Sequence, residues 1–408
     1  MRINPFTAAH PQPNRASQVA CVPYDVINTA EARELAAGLP HSFLHVIRSE
    51  IDLPDSVDHY DDRVYAKARE NLSRFMRDGT LVKDSQPRMF LYRQVMNHRA
   101  QVGLVCCCHV DDYLSDVIKK HEKTRKDKED DRTRHVLELN AHAEPVFLAY
   151  RDIAAIDDLV ESDSNDRPMF HFIAKDGVTH TVWPVRNAKA YVDAFAKVPL
   201  AYIADGHHRS ASAARAGAER RAGNPRHTGA EEYNWFLAVL FPASQLTIMS
   251  YNRVVKDLNG RTPTQFIDAL RKVGGVSPTG NPSPAASGQV CVYVDHHWHL
   301  LEFDPRSIDR SDPIRALDVS LLEERVLRPM LGISDVRTDK RIDFIGGIRG
   351  AAELEKRVNT GEMAVAFSMY PTTMQQLMAV SDAGAIMPPK STWFEPKLRS
   401  GLFVHMMD

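Results

Sequence analysis

Several common signatures are missing from this 408-residue chain, and each absence narrows its function. No apolar run approaches the roughly 18 residues of a membrane span, and the first residues lack the apolar core of a leader peptide. There is no Gly-x-Gly-x-x-Gly fingerprint, no His-Glu-x-x-His and no Gly-x-Ser-x-Gly. Dinucleotide redox chemistry, zinc proteolysis and serine hydrolysis of the elbow type therefore lose ground. A net charge of -2 leaves no overall basic footprint, and no helix-turn-helix is recognisable, which disfavours nucleic acid as a partner. Cysteine is scarce, at five residues, and three of them (Cys106 to Cys108) are consecutive in an apolar run. Neighbours on a strand face opposite ways, so these read as reduced core residues and not as a disulfide framework or zinc site. The expectation is a cytoplasmic protein with no membrane partner.

What is present is an ordinary globular composition, 43% hydrophobic and 25% charged, with length for two or three cores. Strand and helix patterns alternate throughout and no fixed-period repeat is visible, so the fold class is α/β, mixed α+β. Val19–Ile27 reads as a short strand broken by Pro23, followed by a helix from about Ala30 with Thr29 as its N-cap. Residues 60–78 read as an amphipathic helix using Tyr65, Leu72 and Phe75. Met89–Tyr92 and Gln101–Val110 read as strands joined at Asn97–Ala100. Further strands are expected at Val146–Tyr150, His180–Val185, Phe236–Phe241, Thr247–Tyr251, Gln289–Val294 and Ala364–Ser368. Helices are expected at Ala188–Ala196, 263–273 and Ser320–Val326. The Pro/Gly/Ser-rich residues 276–288 read as a loop, and Met387–Lys397 is too proline-rich for a helix.

The strongest chemical signal is Ala201-Tyr-Ile-Ala-Asp-Gly-His-His-Arg209 leading into an alanine-rich segment. A strand, a tight turn and a helix start in that order present unpaired backbone N–H groups and a positive dipole end to an anion such as phosphate. Gly206 permits close approach, and His207, His208 and Arg209 add donors. The plain alternative is a strand-to-helix turn with Asp205 as N-cap. A second signal is residues 119–135, where 13 of 17 positions are Lys, Arg, Asp or Glu. As a solvated helix the run would use pairs such as Glu122–Lys126. As a site it offers Glu122 as a carboxylate base, Lys120 or Lys123 as phosphate partners and Asp131 as a metal ligand. Asp25, in Pro23-Tyr-Asp-Val-Ile27, is either a turn residue or a holder of substrate or Mg²⁺. Lys390-Ser391-Thr392 is an anion-binding cluster or a surface loop, and without a preceding glycine-rich loop it is not a P-loop. Arg341 and Asp343, before Gly346-Gly347, read as a local ion pair or a site.

Taken in order, Pro-Tyr-Asp-Val-Ile, Lys-His-Glu-Lys-Thr with Asp-Asp-Arg, Asp-Gly-His-His-Arg, and Met-Pro-x-Lys-Ser-Thr-x-Phe-x-Pro-Lys resemble the family catalogued as domain of unknown function 1015. That family is in turn similar to the ParB/sulfiredoxin fold, which includes free-serine kinases. The resemblance covers nearly the whole chain. It implies a ParB/sulfiredoxin-like nucleotide-binding core at 111–260, flanked by an N-terminal α/β part (1–110) and a C-terminal α+β part (261–408). It further implies phosphate contacts from Gly206, His207, His208 and Arg209, and Asp205, Lys120, Lys123, Thr124, Arg132, Lys390, Ser391 and Thr392 are expected to join them. The catalytic group would be Glu122 with His121 and Asp25, and Mg²⁺ would bridge the phosphates with Asp25 or Asp131. The expected activity is phosphoryl transfer from ATP or ADP to a small hydroxylated metabolite, with free L-serine giving O-phosphoserine at the head. The competing expectations are a nucleotide-binding regulatory protein on a ParB-like fold and a nucleotide hydrolase or phosphatase at the same site. A homodimer is compatible with either class.

Overall fold

The computed structural model describes residues 1–407, and the chain falls into two compact units. Unit 1 comprises Met1–Leu246 and Pro396–Asp408, and unit 2 comprises Thr247–Glu395. The boundaries expected from sequence at 110 and 260 do not coincide with these units. The physical reason is strand pairing: residues on both sides of 110 lie in one sheet, and the last strand of unit 1 comes from the chain's final residues. The class is mixed α/β, as the alternating patterns require.

The main sheet of unit 1 has nine strands. Across it run Ile118–Lys119, Ala201–Asp205, Val146–Tyr150, Trp235–Pro242, Arg99–His109, Phe90–Met96, Thr179–Pro184 and Phe170–Ile173, with Ile3–Asn4 added beside Cys107 and Cys108. Two pairs are parallel, Ala201–Asp205 with Ile118–Lys119 and Trp235–Pro242 with Val146–Tyr150; the rest are antiparallel. The central strands are apolar along most of their length because both faces are covered, and Val146–Tyr150 is buried at every position. The expected hairpin is present, and Asn97 and His98 both adopt positive φ, as a two-residue turn of matching twist requires. All five cysteines are buried and unpaired, the Cys106–Cys108 run among them. A second sheet orders Leu81–Lys83, Ala8–Pro11, Val404–Met406 and Ala141–His142. Among the described residues no helix is long and apolar enough to cross a membrane.

Unit 2 is built on a six-stranded antiparallel sheet in the order Gly274–Pro278, His297–Phe303, Gln289–Val294, Val365–Met369, Tyr251–Val255 and Ile342–Gly346. Thr247–Met249 pairs separately with Trp393–Glu395. The single strand expected over Thr247–Tyr251 is thus two, divided at Ser250, and the proposed loop at 276–288 begins as strand. The helix expected at Ser320–Val326 starts at Asp318 and runs through a π-helical turn, Glu323–Leu327, to Leu331.

Other differences lie at element starts. Val19–Ile27 is no strand: a short helix ends at Val19, Cys21 makes one bridge to Ser400, and Tyr24–Val26 is a 3-10 turn. The next helix, Thr29–Ala36, is capped by Asn28, one residue earlier than expected, because Asn28 and Glu31 form a reciprocal capping box. The charge run is helical only from Lys126 to Leu139, so Glu122 lies on the preceding loop and the Glu122–Lys126 helical pair does not apply. Arg341 pairs with Asp339 and Asp257, while Asp343 faces Arg357.

Three histidines are built into unit 1 as neutral core groups. His135 donates from Nε2 to the Val46 carbonyl (3.1 Å), His142 stacks on His405, and His180 lies between Tyr92 Oη (2.7 Å) and Arg399 Nε (3.3 Å). Burial pushes each down to about 3. An unfolded histidine takes its proton near pH 6.5, so stability is full above that value and is lost as pH falls toward 3, by about 1.4 kcal/mol per pH unit for each group. Chemical denaturation between pH 6 and 5 should therefore show a shallower loss for His135→Gln than for the parent, by about one proton's worth of slope; equal slopes would mean that His135 is not held neutral. A second expectation concerns Gly401, at φ +86, where an added Cβ would lie 2.5 Å from Phe43 Cβ. Gly401→Ala should cost about 1–3 kcal/mol and lower the melting temperature of unit 1, which calorimetry would read directly.

Candidate functional site

The strand Ala201–Asp205 carries a bulge before its end: Ile203 faces Leu148 but Asp205 faces Phe147, so two residues span one step of the partner strand. This turns Asp205 at the point where the chain enters the helix His207–Gly223. Gly206 is the N-cap, in the left-handed region at φ 96, and a Cβ there would come within 3.1 Å of the Arg209 guanidinium. Asp205 is not the cap, as the plain reading of the turn had it. Its Oδ2 accepts from Lys397 Nζ at 3.1 Å, and its Oδ1 lies 3.5 Å from Arg209 Nη2. The first intrahelical bond is Ser210 N to Gly206 O, which leaves the N–H groups of His207, His208 and Arg209 without a helical acceptor.

The side chains of this turn are each positioned by a different segment. His207 Nε2 lies 3.4 Å from His121 Nε2, the two rings meeting edge to face. Arg125 N donates to His208 Nε2 at 3.1 Å. Arg209 Nη1 donates to the Pro145 carbonyl, and its Nη2 is 3.6 Å from Asp25 Oδ2. Arg209 is only 8% exposed, and both Nε and Nη2 are buried without a hydrogen-bond partner. The structure thus brings Asp25, His121, Asp205, Gly206, His207, His208 and Arg209 together. Glu122 follows His121 on the same loop and is exposed.

Electrostatics divide these groups into charged and neutral. Burial pushes His121 down to about 4, and burial together with His121 pushes His207 further below the usual range. Burial also lowers His208. The three rings are therefore neutral near pH 7 and act as hydrogen-bonding spacers, not cations. Burial opposes ionisation of Asp205, but Lys397 and Arg209 outweigh it and hold the carboxyl well below the usual range. Burial likewise opposes the charge on Arg209, yet Asp25, Asp205 and Glu144 retain it. Behind this row, Arg132 is paired to Asp131 at 2.8 Å and lies 4.3 Å over the Tyr24 ring. Glu144 accepts from Tyr24 N and Ser400 Oγ, and burial raises it above its ordinary range. A cavity of about 20 Å³, room for one water, separates Arg132, His142, Glu144 and Arg209.

The remaining expected residues have other surroundings. Lys120 pairs with Asp116 at 2.7 Å and covers the Tyr113 ring, Thr124 donates to Glu129, and Lys123 is exposed. Arg132 is core, with no outward-facing guanidinium. Both oxygens of Asp131 are engaged, by Tyr65 Oη at 2.7 Å and by Arg132, so it does not fit the role of metal ligand. Among the described residues no cluster of three His, Cys, Asp or Glu is arranged to hold a metal ion. Lys390, Ser391 and Thr392 belong to unit 2, where Lys390 O accepts from Arg253, Ser391 O accepts from Thr372, and Ser391 Oγ donates to Pro388 O. Two polar groups at the turn escaped the sequence reading, Glu144 and Lys397. Glu144 stands alone before Pro145 with no pattern to flag it, whereas Lys397 closes the last of the four motifs.

No curated protein matches the sequence. Among solved structures, free serine kinase in complex with AMP is similar at 12% identity and a TM-score of 0.36, covering 73% of this chain and 91% of its own. A conserved hypothetical protein from Pyrococcus furiosus is similar at 13% identity and a TM-score of 0.35, over 74% and 95%. SbnI with a C-terminal truncation, from Staphylococcus aureus, is similar at 10% identity and a TM-score of 0.40, over 74% and 87%. The profile of one protein family matches residues 3–320, more than half of the chain, and that family is described as protein of unknown function (DUF1015). The chain belongs to this family.

Proposed function

We propose that the chain binds a nucleotide by its phosphates at the Gly206–Arg209 turn and transfers a phosphoryl group from ATP or ADP to the hydroxyl of a small metabolite, with free L-serine as the first acceptor to test. The observation that carries this reading is Arg209: a nine-tenths buried guanidinium whose Nε and Nη2 make no hydrogen bond, Nη2 facing Asp205 and Asp25 only at 3.5 and 3.6 Å, set at the start of a 17-residue helix. A buried, hydrogen-bond-deficient cation beside unpaired backbone N–H groups is a costly arrangement unless an anion completes it.

The acceptor side of the reaction is assigned to the loop at 120–125. Contacts of His207 with His121 and of His208 with Arg125 N tie that loop to the phosphate turn, which supports Glu122 as the base. The Glu122 carboxylate takes the hydroxyl proton as the alcohol oxygen bonds to the terminal phosphorus. The bond from that phosphorus to its leaving oxygen breaks, and ADP or AMP departs according to the donor. Arg209 and the first-turn N–H groups stabilise the charge that develops on the phosphoryl oxygens. Mg²⁺ is expected to arrive with the nucleotide.

Incubating the full chain with ATP or ADP, Mg²⁺ and a panel of small alcohols including L-serine should yield a phosphorylated product visible by phosphorus NMR. Glu122→Gln should lower its rate by about 10²–10⁴-fold while leaving nucleotide affinity near that of the parent. Absence of product with every alcohol would reject the kinase reading, and nucleotide consumption without any alcohol would replace it with hydrolysis. Arg209→Lys, checked for folding by its melting curve, should weaken ADP binding about 10-fold or more, because an ammonium cannot reproduce the guanidinium's planar set of donors. Unchanged affinity would remove Arg209 from the site.

A further inference from the structure

We propose that Lys397, carried by the C-terminal segment of unit 1, is a second phosphate-neutralising cation of this site. The inference rests on the nucleotide-binding reading above and adds to it a residue outside the span matched by the family profile, which ends at 320. Lys397 Nζ is 3.1 Å from Asp205 Oδ2, and both side chains are largely shielded, at 14% and 23% exposure. Asp205 immediately precedes Gly206, so the ammonium stands at the same turn as Arg209, with one carboxylate between the two cations.

The charge balance at the turn gives this placement its consequence. His121, His207 and His208 are neutral near pH 7. Of the charged side chains, Arg209 faces Asp25 and Asp205, and Lys397 faces Asp205. Two cations and two carboxylates sum to zero, and the helix start adds its partial positive charge. Behind them Arg132 and Asp131 cancel, and Glu144, which accepts from Tyr24 N and Ser400 Oγ, adds no positive charge. Without Lys397 the turn would carry a net negative charge, and a nucleotide phosphate would meet repulsion. Lys397 therefore offsets one of the negative charges that a phosphate would meet at the turn.

The segment is held firmly enough to deliver the ammonium to one place. Gln94 Nε2 donates to Lys397 O at 2.8 Å, Ser400 Oγ donates to Glu144 at 3.0 Å, and Cys21 and Ser400 exchange two backbone bonds. Arg399, next but one to Lys397, is salt-bridged to Asp176. These contacts fix the backbone of Lys397 and of the residues that follow it, and the bond from Nζ to Asp205 restrains the side chain, so less side-chain entropy remains to be lost on binding.

The test is calorimetric titration of the full-length parent, Lys397→Met and Lys397→Arg with adenosine and ADP, with melting curves as the check on folding. Lys397→Met should weaken ADP about 10–100-fold and change adenosine less than about 2-fold, and Lys397→Arg should restore most of the ADP affinity. The ADP affinity of Lys397→Met should also depend less steeply on salt than that of the parent. Equal losses for adenosine and ADP would show a merely structural role, and unchanged ADP affinity would remove Lys397 from the site; either result overturns the inference. A parent that fails to bind ADP at all would instead bring down the nucleotide reading, and this inference with it.

Discussion

A buried guanidinium governs the architecture around it. Arg209 enters the interior of unit 1 from the first turn of a helix, where it meets Asp25 from a 3-10 turn, Asp205 from a strand end and Pro145 O from a connecting loop. Three separate stretches of chain, around residues 25, 145 and 205–209, must arrive correctly before the charge is balanced. Removing a charge of this kind from water costs several kcal/mol, and a partial set of partners does not recover it. The surrounding features follow from that demand: the glycine at 206 that lets the guanidinium lie against the turn, the bulge that swings Asp205 into place, and the ion-paired Arg132 and raised Glu144 that form the wall behind.

The histidines separate two meanings of a histidine-rich motif. In sequence, His-His-Arg reads as three side-chain donors at a helix start. In the folded chain only the arginine keeps its charge, since burial keeps both rings neutral and each is bonded to the loop at 120–125. Their part is to fix the distance between two loops. Sequence supplies the residue types but not their protonation, because protonation depends on burial that only the tertiary fold creates.

The same distinction explains which parts were legible. The hairpin at Asn97-His98, the long helix of residues 62–77 and the strand–turn–helix at 201–209 each combine a periodic apolar pattern with a local turn signal, and all stand as read. The N-terminal stretch around Val19–Ile27 misled because an apolar run with a proline resembles an edge strand; here its residues pack as short turns against Ser400 and Glu144, partners more than 100 residues away. Residues 119–135 presented one continuous charge run, yet only its second half is helix. The first half is held by the histidines as a loop, and nothing in composition distinguishes the halves. Arg132 and Asp131 had the residue types of a site and proved to be an interior ion pair, while Lys397 closed a motif whose expected anion-binding residues were Lys390, Ser391 and Thr392.

The strand Val404–Met406 lies between Ala8–Pro11 and Ala141–His142 in the four-stranded sheet of unit 1. In order of synthesis, the two flanking partners are made first and the strand that joins them only after all of unit 2. On the ribosome, unit 2 has every one of its strands before unit 1 can close its second sheet. For most of translation the edges of Ala8–Pro11 and Ala141–His142 stand unsatisfied, which is the condition under which nascent chains recruit chaperones or pair with one another. A chain stalled or cut before Val404 would leave that sheet split in two.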